Sequence, residues 1–527
     1  MPSPWRLLAS AFSRSLTRVS TRRSFSFSSH LRNQDLFEYT SGRWLVNEAL
    51  RLDERKVVFN VAELGRLAAQ SVNRSPDHVA YMEKLAEGDY NREILITMRD
   101  GFKMVAHIPY QCTIPRYFGV ASEAATMAFL RFHGIPIPEV YGYSADANNP
   151  AGTEYIFAES IRGTKLVDQW FDLAEPDMIS VLRQLVQLEK KTMSICFPAG
   201  GALYYTKDME KADAQHTPLD DDPRFCVGPD TRSQMWFGKR SEMDVNRGPY
   251  KDVKEALSRP AEKEWAYLTQ FGPQVPWDPS ARLLHNLEQQ QPSDHTESLR
   301  DYIRIAPLLI PKDPALSRFP IRHREARAEN LIVSRSSDGT LNIVALVDWH
   351  HTAILPAFLL TNLPYESEDS SQSTRPSLPE NFDNLSPRSQ DEARDIYQCR
   401  LVNYHCLAEV AKHNPAHYRC MVDLMTGMCR HLLSFAGKPW RGLSLLRGLV
   451  VGVTRAWSRL NEIDGGGRGP GPCPLWFHLE VVEETDILAE DFMEASDQVK
   501  ELQSLVAANW KNWVHVEDYE RALEVAR

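Results

Sequence analysis

The sequence predicts an α+β chain: a small antiparallel sheet with one main helix over 79–162, then a large helical region over 163–527. Two observations predict it. Between 79 and 162 the apolar residues recur at every second position in short runs bounded by turn residues, with one interruption at helical spacing; beyond Gly163 they recur at every third and fourth position in long runs. With 527 residues and 43% hydrophobic content, the chain can fill one large core or about two or three ordinary ones.

The elements follow in order. Residues 1–34, "MPSPWRLLASAFSRSLTRVSTRRSFSFSSHLRNQ", hold six arginines, no lysine and no acid, with Arg14, Arg18 and Arg22 spaced to share a helical face. That composition predicts a mitochondrial transit peptide. An N-terminal extension covers 35–78. "VAYMEKLA", "REILITM" and "FKMVAHI" then read as three strands joined at "EGDYN" and at Asp100-Gly101, a tight hairpin signal. Ser122 is a candidate N-cap for "EAATMAFLRFHG", whose Ala125, Ala128, Phe129 and Phe132 share one face and whose Gly134 stops it. "IPEVYGYS" and "TEYIFAES" supply two more strands.

The helical region opens with "LVDQWFDL" and "MISVLRQLVQLEKKTM" and continues through "LRDYIRIAPLLI", "ARDIYQCRLVNYHCLAEVAKH" and "YRCMVDLMTGMCRHLLSFAG". Residues 206–250 are a polar stretch rich in Asp, Pro, Lys and Arg, 366–390 reads as a loop, and "GGGRGPG" at 465–471 as a linker, since its prolines spoil a phosphate-binding nest.

Composition excludes several functions. Eight cysteines without a Cys-x-x-Cys pair argue for reduced thiols rather than a zinc module or a disulfide framework. The most apolar window, "IVALVDWHHTAILPAFLL", is broken by Asp348, His350 and His351, so no integral membrane segment is expected. Without its first 34 residues the chain carries 54 basic against 70 acidic side chains, a formal −16, which argues against a nucleic-acid partner.

The chemistry concentrates in 322–351. "LIVSRSSDGTLNIVALVD" reads as strand, turn at Asp338-Gly339, strand, and folding it brings Asn330 and Asp348 to one open end. An amide oxygen and a carboxylate are ligands that suit Mg²⁺ carried on phosphates. Asn and Asp also simply begin and finish strands, so spacing alone leaves the two readings level. His350 and His351 adjoin Asp348, but neighbours in an extended segment point to opposite faces and at most one joins the site. His413 and His417 flank Pro415 and read as a solvated helix end.

"RHREARAENLIVSRSSDGTLNIVALVDWHHTAILPAF", starting at Arg322, resembles the catalytic and metal loops of the aminoglycoside phosphotransferase family, H-x-D-x-x-x-x-N, strand, hairpin, strand, I-D-W. "AEGDYNREILITMRDGFKMVAHIP", "ASEAATMAFLRFHGIPIPEVYGYS", "FCVGPDTRSQMWF", "RGPY" and "LPENFD" extend the likeness toward a fungal branch, over nearly everything after the transit peptide. The resemblance implies a bilobal, protein-kinase-like fold and the use of ATP and Mg²⁺. It implies that His323 and Glu325 are the catalytic-loop residues and that Asn330 and Asp348 hold the metal. It also implies that Glu123 anchors a phosphate-gripping residue at His107 and that the loop around Gly88 covers the phosphates. Two positions depart from the family. His107 stands where relatives carry lysine or arginine, and Glu325 where they carry aspartate. A base displaced by about 1 Å can lose on the order of a hundredfold in rate, and histidine is shorter than lysine and only weakly cationic near neutrality. Two functions are therefore expected of the chain: a phosphotransferase acting on a small hydroxyl-bearing acceptor in mitochondria, or a pseudokinase working through nucleotide or a protein partner.

Overall fold

The computed structural model describes residues 36–272, 291–365, 374–440, 445–463, 471–506, 508–509 and 512–526. The expected transit peptide, most of the glycine-rich linker and the start of the 366–390 loop lie outside them. The described residues form two compact units, one of 36–233, Ile321–Ile354 and 512–526, the other within Gln234–Pro320 and Leu355–Trp510.

The first unit is built on a sheet of β2 (Val79–Glu87), β3 (Asn91–Met98), β4 (Lys103–Pro109), β5 (Val140–Ser144) and β6 (Tyr155–Glu159), in the order β2-β3-β4-β6-β5, with every pair antiparallel. These are the five strands expected. The β3–β4 turn is tight because Gly101 takes a φ of +85°, where a side chain is strained, and Asp100 accepts the Phe102 N–H at 3.0 Å. One face of the sheet, with Ile94, Ile96, Met104, Ala106, Ile108 and Phe157, packs on α1 (Val61–Ser71) through Leu64, Ala68 and Ala69. Strand alternation sends Glu93 and His107, which are register partners, to the opposite side.

Helix α2 (Arg116–Phe132) begins seven residues earlier than expected, after Pro115, and Ser122 is buried inside it instead of capping it. Its Val120, Ala121 and Ala124 pack with Ile156 of β6 and with Tyr204 and Cys226 of β8 (Ala202–Tyr205) and β9 (Phe225–Gly228). A helix buried on more than one side carries no single stripe, which is why its N-terminal half was missed. Phe132, expected on its buried face, is exposed.

"LVDQWFDL" is two 3₁₀ turns, not a helix, and α3 (Glu175–Ser194) follows it. Strands β10 (Leu331–Arg335) and β11 (Leu341–Leu346) form the expected hairpin, and β7 (Thr164–Lys165) joins it at Ile332. β1 (Gly42–Trp44) pairs with β12 (Trp513–His515), a contact across nearly the whole chain length.

The second unit is helical: α4 (Val253–Phe271), α5 (Pro292–Ile305), α6 (Pro387–His413), α7 (Pro415–Val422), α8 (Leu424–Ala436), α9 (Leu445–Ile463) and α10 (Leu479–Leu505). Leu257, Tyr302, Leu432, Leu449 and Trp457 share its core. The polar stretch at 206–250 carries a buried charge at Arg240. Arg240 and Glu264 are fully buried and doubly bonded, at 2.7 and 2.5 Å, with Lys263 completing the cluster through Gln234 and Gly437 carbonyls at 2.8 Å. His417, expected in solvent, is buried with Nε2 on the Leu360 carbonyl at 2.9 Å.

Among the described residues no helix is long and apolar enough to cross a membrane, and the cysteines are free thiols.

Candidate active site

The β10–β11 register sets Leu331 opposite Leu346, so Asn330 enters one strand where Val347 leaves the other, and the Val347 N–H donates to the Asn330 carbonyl at 2.9 Å. Asp348 comes next. The hairpin closes on Gly339, whose φ is +87°. Asn330 and Asp348 thus stand at one open end.

Asn330 is buried, and its amide nitrogen donates to the main-chain carbonyl of Glu325 at 2.9 Å. Because a carbonyl can only accept, the amide's orientation is fixed, and no donor among the described residues meets Oδ1. His323 ties this loop to the hairpin. Its Nδ1 accepts the Glu325 N–H at 3.1 Å while Nε2 donates to the Val347 carbonyl at 3.0 Å, and its ring stands edge-on to Trp349 at 4.6 Å. Burial pushes its pKa down to about 4. Both ring nitrogens are engaged, so His323 positions the loop and has no free nitrogen for proton transfer. The neighbouring Arg322 anchors the loop on buried Glu189 of α3 at 2.7 Å.

Asp348 takes a left-handed φ of +70°, uncommon outside glycine. Burial opposes its charge, but His350 bonded to it, with His323 and His107 close by, holds the carboxyl down at about 2. His351 bonds elsewhere, its Nδ1 donating to the Thr231 carbonyl at 2.7 Å. Both histidine rings lie against Tyr90, at 4.5 and 5.0 Å.

Tyr90 belongs to the β2–β3 turn, the loop expected to cover phosphates. Its carbonyl accepts the Tyr110 N–H at 3.0 Å. Glu87, at the turn's other side, accepts the Thr40 and Ser41 N–H groups at 2.8 Å and pairs with Lys84 at 2.9 Å. Gly88 has no positive φ, and a side chain there would meet nothing nearer than 3.5 Å, so its own turn does not demand glycine.

Glu123 of α2 is buried and its pKa is pushed up by that burial, with His107 and His350 pulling it back. His107 lies within electrostatic reach of it. No hydrogen bond joins them, and His107 Nδ1 is buried without a partner among the described residues. Glu325 is part-exposed and held between two cations, Arg327 at 3.0 Å and Arg324 at 3.4 Å.

The hairpin therefore brings Asn330, Asp348, His323 and Glu325 onto one scaffold, with Glu123 and His107 near Asp348. Four contributors escaped the sequence reading. Tyr90 was visible as an aromatic at a turn tip and Arg324 and Arg327 as charges flanking the glutamate, whereas nothing local marks Thr231.

No protein-family model matches the chain. A subtelomeric hrmA-associated cluster protein of Aspergillus fumigatus is 28% identical over 486 residues, 85% of this chain and 92% of that protein. The mitochondrial altered inheritance of mitochondria protein 9 of Yarrowia lipolytica is 26% identical over 362 residues, 63% of this chain and 61% of its own length. This chain is similar in sequence to the altered inheritance of mitochondria 9 proteins of yeasts. It matches less than two thirds of the length of those yeast relatives. Among solved structures its neighbours are aminoglycoside phosphotransferases; the streptomycin–ATP ternary complex of APH(2″)-IIa is 13% identical with a TM-score of 0.35, over 83% of this chain and 99% of that one. The strand order and the hairpin with its two flanking loops carry the fold.

Proposed function

We propose that this chain is a mitochondrial phosphotransferase that uses Mg·ATP to phosphorylate a small hydroxyl-bearing acceptor. The observation that carries the reading is the single scaffold formed by His323, Glu325, Asn330 and Asp348, in which Asn330 is locked to the Glu325 carbonyl with its amide oxygen left over. The donor set fits Mg²⁺ held on phosphates, since an uncommitted amide oxygen stands with a carboxylate kept ionised. Bound there, Mg²⁺ would neutralise charge on the phosphates. The acceptor hydroxyl would give its proton to the Glu325 carboxylate as its oxygen takes the terminal phosphoryl group and ADP leaves. His323 would keep that loop against the hairpin.

Mg·ATP at a hundred times its dissociation constant should stabilise the fold by roughly 2.7 kcal/mol. Asp348→Ala should abolish the gain and leave the protein folded. An unshifted wild-type melt at millimolar Mg·ATP would turn the assignment to a second reading, a pseudokinase. That reading draws support from His350 on the Asp348 carboxylate, Tyr90 packed against His350, and the His107 Nδ1 left without a partner among the described residues.

For localisation, the relatives named as mitochondrial and the acid-free start of the chain support import. A reporter fused to residues 1–34 should enter mitochondria.

A further inference from the structure

Glu325 does not stand free to take a proton. Its carboxylate lies between the guanidinium groups of Arg327, at 3.0 Å, and Arg324, at 3.4 Å, and all three side chains are part-exposed, at 30%, 39% and 38% for Arg327, Arg324 and Glu325. Arg327 also approaches Glu329 at 3.5 Å. A guanidinium presents five N–H donors in a fixed fork that matches carboxylate and phosphate oxygens. Here each fork spends little of that capacity on the glutamate.

From this geometry we propose that Arg324 and Arg327 form an anion clamp in which the Glu325 carboxylate is the resident occupant, and that the acceptor is an anionic, hydroxyl-bearing small molecule that takes its place. The inference rests on the phosphotransferase reading and gives it a substrate class. A phosphate or carboxylate group of the acceptor would satisfy the forks, releasing Glu325 to face the hydroxyl. The proton then moves from that hydroxyl to Glu325 as its oxygen–phosphorus bond forms and the bond to the departing ADP breaks. A polycationic acceptor would instead meet two guanidiniums at the catalytic loop. The arrangement also accounts for glutamate at this position: its extra methylene lets the carboxylate reach both arginines.

The test is a calorimetric titration of the full chain, without nucleotide or Mg²⁺, with glycerol 3-phosphate and with glycerate as anionic probes, glycerol as the neutral control and kanamycin as the cationic one. At least one anion should bind, and the one that binds more tightly names the head group. Arg324→Ala and Arg327→Ala should each weaken it on the order of tenfold, the scale of a charge-assisted hydrogen bond. Arg324→Lys should recover only part of the loss, because the charge returns without the fork. Glu325→Gln should tighten anion binding on the order of tenfold by removing the competing carboxylate, and Glu329→Gln should change it less. Anions that bind no better than glycerol, arginine variants that bind like wild type, or a Glu325→Gln that binds no tighter would each overturn the clamp. Because the titration contains no nucleotide, its outcome is separate from that of the Mg·ATP melt.

Discussion

The side-chain amide of Asn330 donates to the main-chain carbonyl of Glu325 across 2.9 Å, joining the expected metal ligand to the expected base. One bond therefore fixes both ends of the loop. Asn330→Ala removes one of that carbonyl's two donors, the other being the Arg327 N–H at 2.9 Å, and should cost about 0.5–1.5 kcal/mol of stability. It should also remove the melt shift with Mg·ATP. Asn330→Asp keeps an oxygen at the site but turns a carboxylate on the Glu325 carbonyl, so it should be at least as destabilising. Urea melts of the three proteins decide the point, and an Asn330→Asp protein as stable as wild type would mean that the bond is of no consequence.

Tyr90, on the β2–β3 turn, packs against His350, which in turn bonds the Asp348 carboxylate. An aromatic contact of this kind contributes about 0.5–1.5 kcal/mol. If the nucleotide has to displace it, Tyr90→Ala should raise Mg·ATP affinity by roughly twofold to tenfold, and His350→Ala should act in the same direction by freeing the carboxylate. Titration calorimetry reads both. Weaker binding in Tyr90→Ala would make the tyrosine part of the nucleotide site instead of a cover on it.

The sheet was legible because its strands alternate and its turns carry Asp100-Gly101 and Asp338-Gly339, signals that act over a few residues. The loop to the hairpin was legible for the same reason, since Asn330 and Asp348 are joined by one local turn. What could not be read depends on chain segments far apart. β1 meets β12 only in space, and Thr231 bonds His351 from 120 positions away. The extension at 35–78 was passed over although Asn60 caps α1 on the Glu63 N–H and Leu64 and Ala68 share its buried side. Those signals were local and available. The buried charge at Arg240 was not legible for a physical reason: a charge can be buried only against a partner, and that partner sits at Glu264, on a helix that the pattern had not marked.

Buried His295 gives the helical unit a pH dependence. Its ring stacks on Trp440 at 5.5 Å, and burial lowers its pKa from 6.5 to about 4. Between those values the unfolded chain binds the proton and the folded one does not, so stability is complete above pH 6.5 and falls as pH drops toward 4. At 1.36 kcal/mol per unit the full loss is on the order of 3 kcal/mol. Denaturant midpoints from pH 7.5 to 4.5 should show a steeper decline for wild type than for His295→Leu. Parallel curves would locate the acid sensitivity elsewhere.

The two departures from the family pattern, His107 and Glu325, make the last prediction. Glu123 is buried and its carboxyl is pushed toward the neutral form, while His107 offers it no hydrogen bond. A lysine at 107 places a longer, fully cationic arm on the same face of β4, and its charge should draw Glu123 back to the carboxylate. His107→Lys should thus strengthen Mg·ATP binding. Glu325→Asp withdraws the carboxylate by one methylene, which loosens its hold on Arg327 and Arg324 and sets it at the reach that the family uses. Alone it should raise turnover only modestly, because the phosphates are still poorly gripped. The two changes act on different substrates of one reaction, so the double variant should exceed either single one in ATP turnover. Measuring binding and turnover for all four proteins separates the possibilities. Tighter nucleotide binding by His107→Lys without any turnover in the double variant would mark a nucleotide-binding protein whose loop has left catalysis. If neither property improves, these positions are not what limits the chain, and the repair argument is wrong.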